Sequence, residues 1–223
     1  MEFGLNGRVM AITARYMINA GYAGCDQNAV KAHIKELAAI GVDVPGQCPT
    51  FYPVPVQQLL QAEKIQTGHG KTSAEIEYVF ICSNGKSYLT VGSDHSDRDL
   101  EAYSVCAAKQ ICPNVVAGEL WRYDDVADHL DKLRLLCEVG EQNDTWRVYQ
   151  DGRVSDLLSP EQLLEMGASV IGGKDDIVLY SGTIPTIGDI SFGTRWRITM
   201  ADTKLNRKIS FMYEVEILPP GIE

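Results

Sequence analysis

Two glutamates, Glu75 and Glu77, flank an isoleucine in the run Ala74-Glu75-Ile76-Glu77-Tyr78-Val79-Phe80-Ile81-Cys82. The run reads as a strand, on which side chains two apart face the same way. Glu75 and Glu77 therefore form a paired carboxylate face, while Ile76, Tyr78 and Phe80 point to the other side. Like charges so close raise each other's proton affinity unless a cation neutralises them. Further along, Val91-Gly92-Ser93-Asp94-His95-Ser96-Asp97-Arg98-Asp99-Leu100-Glu101 packs ionisable groups beside apolar strand pattern. If the Ser83-Asn84-Gly85 turn brings Asp94 back beside the glutamates, three carboxylates form an oxygen site suited to a hard divalent cation, Mg²⁺ or Mn²⁺.

Other candidates are open to two readings. His33 and Glu36 are three apart on an expected helix and so can touch. They are either a helix residue beside an apolar stripe and a solvated acid, or a general base oriented by a carboxylate. Lys109 follows the small apolar run Val105-Cys106-Ala107-Ala108. It is either a surface lysine or a charge stabiliser in an apolar setting. Gly182-Thr183 offers a backbone N–H and a hydroxyl to a carboxylate ligand, or simply starts a loop. Phe51 and Tyr52 pack under a pocket or line it.

The elements that must position these residues follow from pattern. Val9 to Thr13 is expected as a strand. Asp26 to Gly41 is expected as a helix, capped by Asp26, ended by Gly41 and striped by Val30, Ile34 and Leu37. Prolines 45, 49, 53 and 55 exclude a central strand over 43–56 and leave an extended connection. Tyr103 to Lys109 is expected as helix. So is Asp124 to Leu136, carrying a structural His129. Trp146 to Val154 has the alternation and Asp151-Gly152 turn of a hairpin. Ser159-Pro160-Glu161-Gln162 starts another helix with a capping Ser, Pro in the first turn and Gln at the third position. From Ile177 onward the chain reads as strand, with Trp196 to Met200 and Ile209 to Ile217 supplying two more.

Size and composition bound the classes. At 223 residues the chain suits one domain, or one with a small appendage. Its formal charge of -10, from 20 basic and 30 acidic residues, makes nucleic acid a poor partner. No run approaches the roughly 18 apolar residues of a membrane span, and no signal-peptide pattern opens the chain, so a cytoplasmic protein is expected. Six cysteines without CxxC spacing favour buried free thiols over disulfides or zinc. The Gly-rich loops of nucleotide binding and the GxSxG elbow are absent.

The constellation resembles the fumarylacetoacetate hydrolase superfamily. Members carry a Glu-x-Glu strand, an Asp-x-Ser-x-Arg-Asp-x-Gln segment, a Lys, and a late strand running into Gly-Thr-Pro. Here stand Glu75-Ile76-Glu77, Asp94-His95-Ser96-Asp97-Arg98-Asp99-Leu100-Glu101, Lys109 and Gly182-Thr183-Ile184-Pro185. Gly24 through His33 and Glu36 loosely follows the family's Gly-x-Asn-Tyr-x-x-His-x-x-Glu signature, without its Asn-Tyr. Glu101 replaces the usual Gln, and the interval from Glu77 to Asp94 is shorter than most members have.

The resemblance implies a mainly β (α+β) fold, a β-roll with peripheral helices. Residues 1–223 would be a single domain, with residues 1–60 a smaller N-terminal part carrying the His33/Glu36 helix. It implies a homodimer with Mg²⁺ or Mn²⁺ held by Glu75, Glu77 and Asp94. His33 with Glu36 would be the base and Lys109 would steady an enolate, while Arg98, Glu101, Thr183 and Tyr52 would line the substrate. The implied activity is C–C hydrolysis of a small anionic β-keto or 2,4-dioxo acid through a metal-bound enolate. Alternatives are hydration, decarboxylation or tautomerisation of a 2-oxo acid in the same site, or non-catalytic binding of a small molecule.

Overall fold

The computed structural model describes residues 1–26, 28, 30, 32, 46–141 and 144–221. The chain opens with β1 (Glu2–Leu5), β2 (Arg8–Ala11), β3 (Tyr16–Gly21), β4 (Thr50–Val54), β5 (Leu59–Leu60), β6 (Lys64–Thr67) and β7 (Thr72–Ser73). A long hairpin follows, β8 (Ile76–Ser83) and β9 (Lys86–Asp94), then β10 (Ser96–Asp97) and the helices α1 (Arg98–Glu101) and α2 (Val105–Ile111). After β11 (Asn114–Val116) and β12 (Trp121–Arg122) come β13 (Leu133–Gly140), β14 (Trp146–Arg153), α3 (Pro160–Ile171), β15 (Ile177–Tyr180), β16 (Arg195–Asp202) and β17 (Arg207–Ile217). The fold is mainly β, as the pattern predicts.

Two large sheets organise most of these strands, while β1 pairs with β2 and β7 with β10 as separate two-stranded sheets. The larger runs β4-β3-β15-β8-β9-β11-β5, with β12 also paired to β9; the smaller runs β14-β13-β16-β17-β6. One apolar cluster fills the space between them, where Tyr78, Phe80, Leu89 and Val91 meet Leu135, Cys137, Trp196, Ile198 and Tyr213. A second covers the other face of the larger sheet, joining Met17, Val54, Val79, Ile81, Val116, Val178 and Tyr180 to Phe3 and Ile12 of the N-terminal segment. With both faces covered, all eight residues of β8 are buried, which is why its sequence is nearly continuous in apolar residues apart from Glu77 and the terminal Ser83.

Several expectations hold locally. Ser159 and Gln162 make the reciprocal capping box at α3, with Pro160 at its first position and Gly172 at φ 75° ending it. Most of the helix expected over 26–41 lies outside the described residues. At its start Asp26 Oδ1 accepts from the Asn28 N–H at 3.0 Å, and its C=O from the Val30 N–H at 3.0 Å. The proline-rich 43–56 segment contains a strand, β4, at the sheet edge, where the missing N–H of Pro53 costs no ladder bond to an inner neighbour. Strands β3 and β4 place part of residues 1–60 within the larger sheet itself.

Other expectations are corrected. Residues 124–136 form two short 3-10 turns and the start of β13, not an amphipathic helix, because His129 sits at φ -151°, ψ 41° and breaks the helical path. Leu133, Leu135, Cys137 and Val139 alternate inward along the strand, and the spacing of Leu130 and Leu133 mimics a helical stripe. His129 is buried between Asp128 and Asp202, with Nε2 3.2 Å from Asp202 Oδ2. Asp151-Gly152 lies inside strand β14, which pairs with β13 on both sides of a single bulge at Tyr149, so no hairpin turns there. None of the six cysteines is in a disulfide, but Cys25 is exposed and Cys48 and Cys106 are only half-buried. Among the described residues no helix is long and apolar enough to cross a membrane.

Gly92 sets how closely β9 meets its neighbours. A Cβ there would lie 2.7 Å from the Val115 carbonyl and 2.8 Å from the Tyr180 ring. Gly92 is also the cross-strand partner of Glu77. Replacing it with Ala should cost about 1–3 kcal/mol by overpacking against backbone, read as a lower urea midpoint at unchanged slope. An unchanged midpoint would show that the two strands separate freely here.

Candidate metal centre

The β8–β9 hairpin brings the acids together. Its turn holds Asn84 at φ 53° and Gly85 at φ 67°, the left-handed pair that matches the twist of two adjoining strands. In the resulting register Ile76 faces Ser93 and Glu77 faces Gly92, and the Asp94 N–H donates to the Glu75 carbonyl at 3.0 Å. A slip of one residue would turn every side chain to the opposite face. As built, one carboxylate oxygen from each of Glu75, Glu77 and Asp94 lies within 4.8 Å of the others. The sequence expectation of a three-acid cluster is met by the geometry.

Two cations sit among these acids. Asp97 caps α1 by accepting from the Leu100 N–H at 2.9 Å, which fixes the neighbouring Arg98. The Arg98 guanidinium donates to Ser73 Oγ at 2.7 Å, Glu101 Oε2 at 2.7 Å and Glu75 Oε1 at 3.0 Å. Ser104 caps α2 and Lys109 projects from its last turn. The Lys109 ammonium donates to Glu75 Oε2 at 3.1 Å and makes a short bond to Asp94 Oδ2. Lys109 is 5% exposed, so the apolar-setting reading prevails over the surface lysine. The pairing of Arg98 with Glu101 neutralises in part the carboxylate that stands where the resembled family has Gln.

The electrostatics divide the cluster. Burial would raise the Glu75 carboxyl, but Lys109 and Arg98 outweigh it and hold Glu75 down to about 2. Glu77 has no such partner: burial, then the charge of Asp94, push it well above the usual carboxylate range. Burial also raises Asp94, against the pull of Lys109. Burial works against the Lys109 charge, yet Asp94 and Glu75 hold its proton on. Glu77 Oε2 accepts from the Gly182 N–H at 2.8 Å, whereas Glu77 Oε1 and Asp94 Oδ1 are buried without a hydrogen-bond partner. Four carboxylates, Glu101 included, stand against two cations, so with all of them ionised the cluster carries two surplus negative charges. One divalent cation balances that surplus, and the two partnerless oxygens are donors of the hard kind it takes.

The Thr183 hydroxyl donates to the Ile76 carbonyl at 2.8 Å and accepts from Gln150 Nε2 at 2.8 Å, so its proton is committed to the framework. Tyr52 lies on β4 with its ring against Gly21, half-buried. Burial raises its phenol, and Tyr22 adds to the shift. His33 and Glu36 lie outside the described residues.

Three residues were not singled out by sequence pattern. Tyr22 takes φ 56°, a conformation a bulky side chain rarely adopts. Burial and then Glu101 raise its phenol. Such strain is held only where surroundings enforce it. Asn19 and Asn114 are fully buried polar residues in strands of the larger sheet. Nothing in their flanking sequence marks them, since a lone Asn in a strand pattern usually faces solvent.

The curled, mainly β architecture matches the fumarylacetoacetate hydrolase-like fold of solved structures at low identity. The structure of 2-keto-3-deoxy-D-arabinonate dehydratase complexed with magnesium and 2,5-dioxopentanoate is similar at TM-score 0.63 and 16% identity, covering 97% of this chain and 78% of that one. A structure of Cg1458 is similar at TM-score 0.61 and 15% identity, covering 95% and 79%. By sequence, a family model described as a protein of unknown function, DUF2848, matches residues 20–213, and the chain belongs to that family. No curated protein matches it.

Lys109→Met should leave the buried acids without their shared cation. Removing one partner of a buried pair costs about 3–5 kcal/mol, so metal-free unfolding at neutral pH should shift by that order. Much of the loss should return with millimolar Mg²⁺. A variant as stable as the wild type would show that the Lys109 ammonium does not neutralise the cluster.

Proposed function

We propose that this protein is a divalent-metal-dependent enzyme acting on a small anionic oxo acid, with Mg²⁺ or Mn²⁺ held by Glu75, Glu77 and Asp94. The observation that carries the reading is the convergence of their oxygens within 4.8 Å, two of the three residues each keeping an oxygen without a protein partner. When bound, the ion supplies Lewis acidity, polarising the carbonyl of a chelating oxo acid and lowering the energy of negative charge developing on its oxygen. The magnesium complex of the structurally similar dehydratase with 2,5-dioxopentanoate supports this ligand class.

The protein's own groups do the rest. Lys109 and Arg98 keep Glu75 ionised, Lys109 also holds Asp94, and the Gly182 N–H aims Glu77. The Lys109 ammonium lies against the acids, placed to steady an enolate oxygen as charge builds there. His33, oriented by Glu36, is the general base. In C–C hydrolysis of a β-keto or 2,4-dioxo acid it takes a proton from water. The hydroxyl adds to the distal carbonyl carbon, the C–C bond breaks, and its electron pair passes into the enolate, which is then protonated. Glu101, Tyr52 and Arg98 bound the substrate, Arg98 through Glu101.

A second reading, dehydration or a related lyase step on a 2-oxo acid, has the dehydratase neighbour in its favour. There the base removes a proton next to the carbonyl, the same enolate forms, and hydroxide leaves from the adjacent carbon. Product analysis separates the two, since hydrolysis yields two acids and dehydration one. The proposal includes a homodimer, which light scattering on the purified protein measures.

His33→Ala should lower kcat at least about 100-fold, as for loss of a general base, with Mn²⁺ affinity nearly unchanged. Glu77→Ala should abolish both. Activity on a panel of acylpyruvates, oxaloacetate and 2-oxo-3-deoxy sugar acids, with and without Mg²⁺, is the assay. Turnover indifferent to metal, or a fully active His33→Ala, would overturn the respective part.

A further inference from the structure

Asn19, within β3, and Asn114, the first residue of β11, are each 0% exposed, and all four of their amide heteroatoms lack a hydrogen-bond partner. Both belong to the larger sheet. Asn114 is the cross-strand partner of Asp94, so the two share a face with Cβ atoms about 5 Å apart. Asn19 alternates with Met17 toward the apolar cluster on the same face and pairs with Tyr180, whose ring packs against Gly92, the cross-strand partner of Glu77. Together with Glu77 Oε1 and Asp94 Oδ1, six partnerless buried polar atoms lie on this one face of the larger sheet.

A buried amide left unpaired costs about 1–3 kcal/mol, and apolar residues of similar shape avoid that cost. Met17, Val79, Val116 and Tyr180 fill the surrounding face in that way. Two asparagines here weaken the fold unless something outside the polypeptide satisfies them. Magnesium-type ions keep several of their waters when bound by carboxylates, and those waters need acceptors.

We propose that Asn19 and Asn114 complete the cation site: their amide oxygens accept from the ion's waters, and their N–H groups donate to the free oxygens of Asp94 and Glu77. They are positioning residues, acting on the ion through its water. The inference rests on the metal site proposed above and extends it to residues on two further strands.

The test compares wild type with Asn19→Leu and Asn114→Leu, each of similar volume, by two readouts that do not involve turnover. Urea unfolding of metal-free protein should show equal or greater stability in both variants. Mn²⁺ titration followed by electron paramagnetic resonance should show affinity weakened about tenfold or more, the usual size for a group that orients a metal's ligands. Asn114→Asp, which keeps an oxygen acceptor, should bind Mn²⁺ at least as well as wild type. Variants that lose metal-free stability or fail to fold, or that bind Mn²⁺ like wild type, would mark the amides as structural and overturn the inference. A wild-type protein that binds no Mn²⁺ would overturn the metal reading itself.

Discussion

Carboxylates buried side by side repel one another, and the arrangement around Glu75, Glu77 and Asp94 is the set of measures that contain the repulsion. Lys109 takes two of the acids, Arg98 ties Glu75 to Glu101, and the Gly182 N–H reaches Glu77 from the far end of β15. Each of these groups is fixed by an element of its own. A capped four-residue turn sets Arg98 and a second capped helix sets Lys109. The Gln150 side chain bonds both the Ile76 N–H and the Thr183 hydroxyl, joining the smaller sheet to the strand that carries the glutamates. Buried ion pairs add little to stability compared with apolar packing of the same volume. Their retention here fits a binding role better than a structural one.

The sheet around the acids explains how they stay close. Strands β8 and β9 are buried on both faces, so the hairpin register is fixed by apolar contacts on the inner and outer sides at once. His95 illustrates the division: it lies one residue from Asp94 but points between the sheets, with Nδ1 3.0 Å from Tyr213 Oη and Nε2 2.9 Å from Thr72 Oγ1. Burial and the nearby Arg98 hold its imidazole down to about 3, so it stays neutral and structural while its neighbour faces the cation site. A rigid wall of this kind suits a reaction whose barrier falls through preorganised charge.

Much of the site was legible in the sequence because strand alternation and turn chemistry are local. Glu75 and Glu77 two apart, and an Asn-Gly turn before Asp94, are enough to bring the three acids together. Lys109 was legible only through its resemblance to a known family, since an apolar run before a lysine fits a surface helix as well. The helix expected at 124–136 failed because Leu130 and Leu133 have helical spacing while the residues after them alternate as a strand. Asp151-Gly152 has turn composition, yet both residues pair with β13, and pairing outweighs the local turn preference. Asn19, Asn114 and Tyr22 carry no local signal. Their meaning lies in burial, missing partners and a left-handed backbone, all products of tertiary structure.

Every role proposed for these residues needs a cation in the space between the three acids. Crystals of the protein soaked in Mn²⁺, with anomalous scattering collected near the manganese edge, place that ion directly. The account predicts one strong peak bonded to oxygens of Glu75, Glu77 and Asp94. No peak at that position, with the Lys109 ammonium still lodged between Glu75 and Asp94, would contradict it.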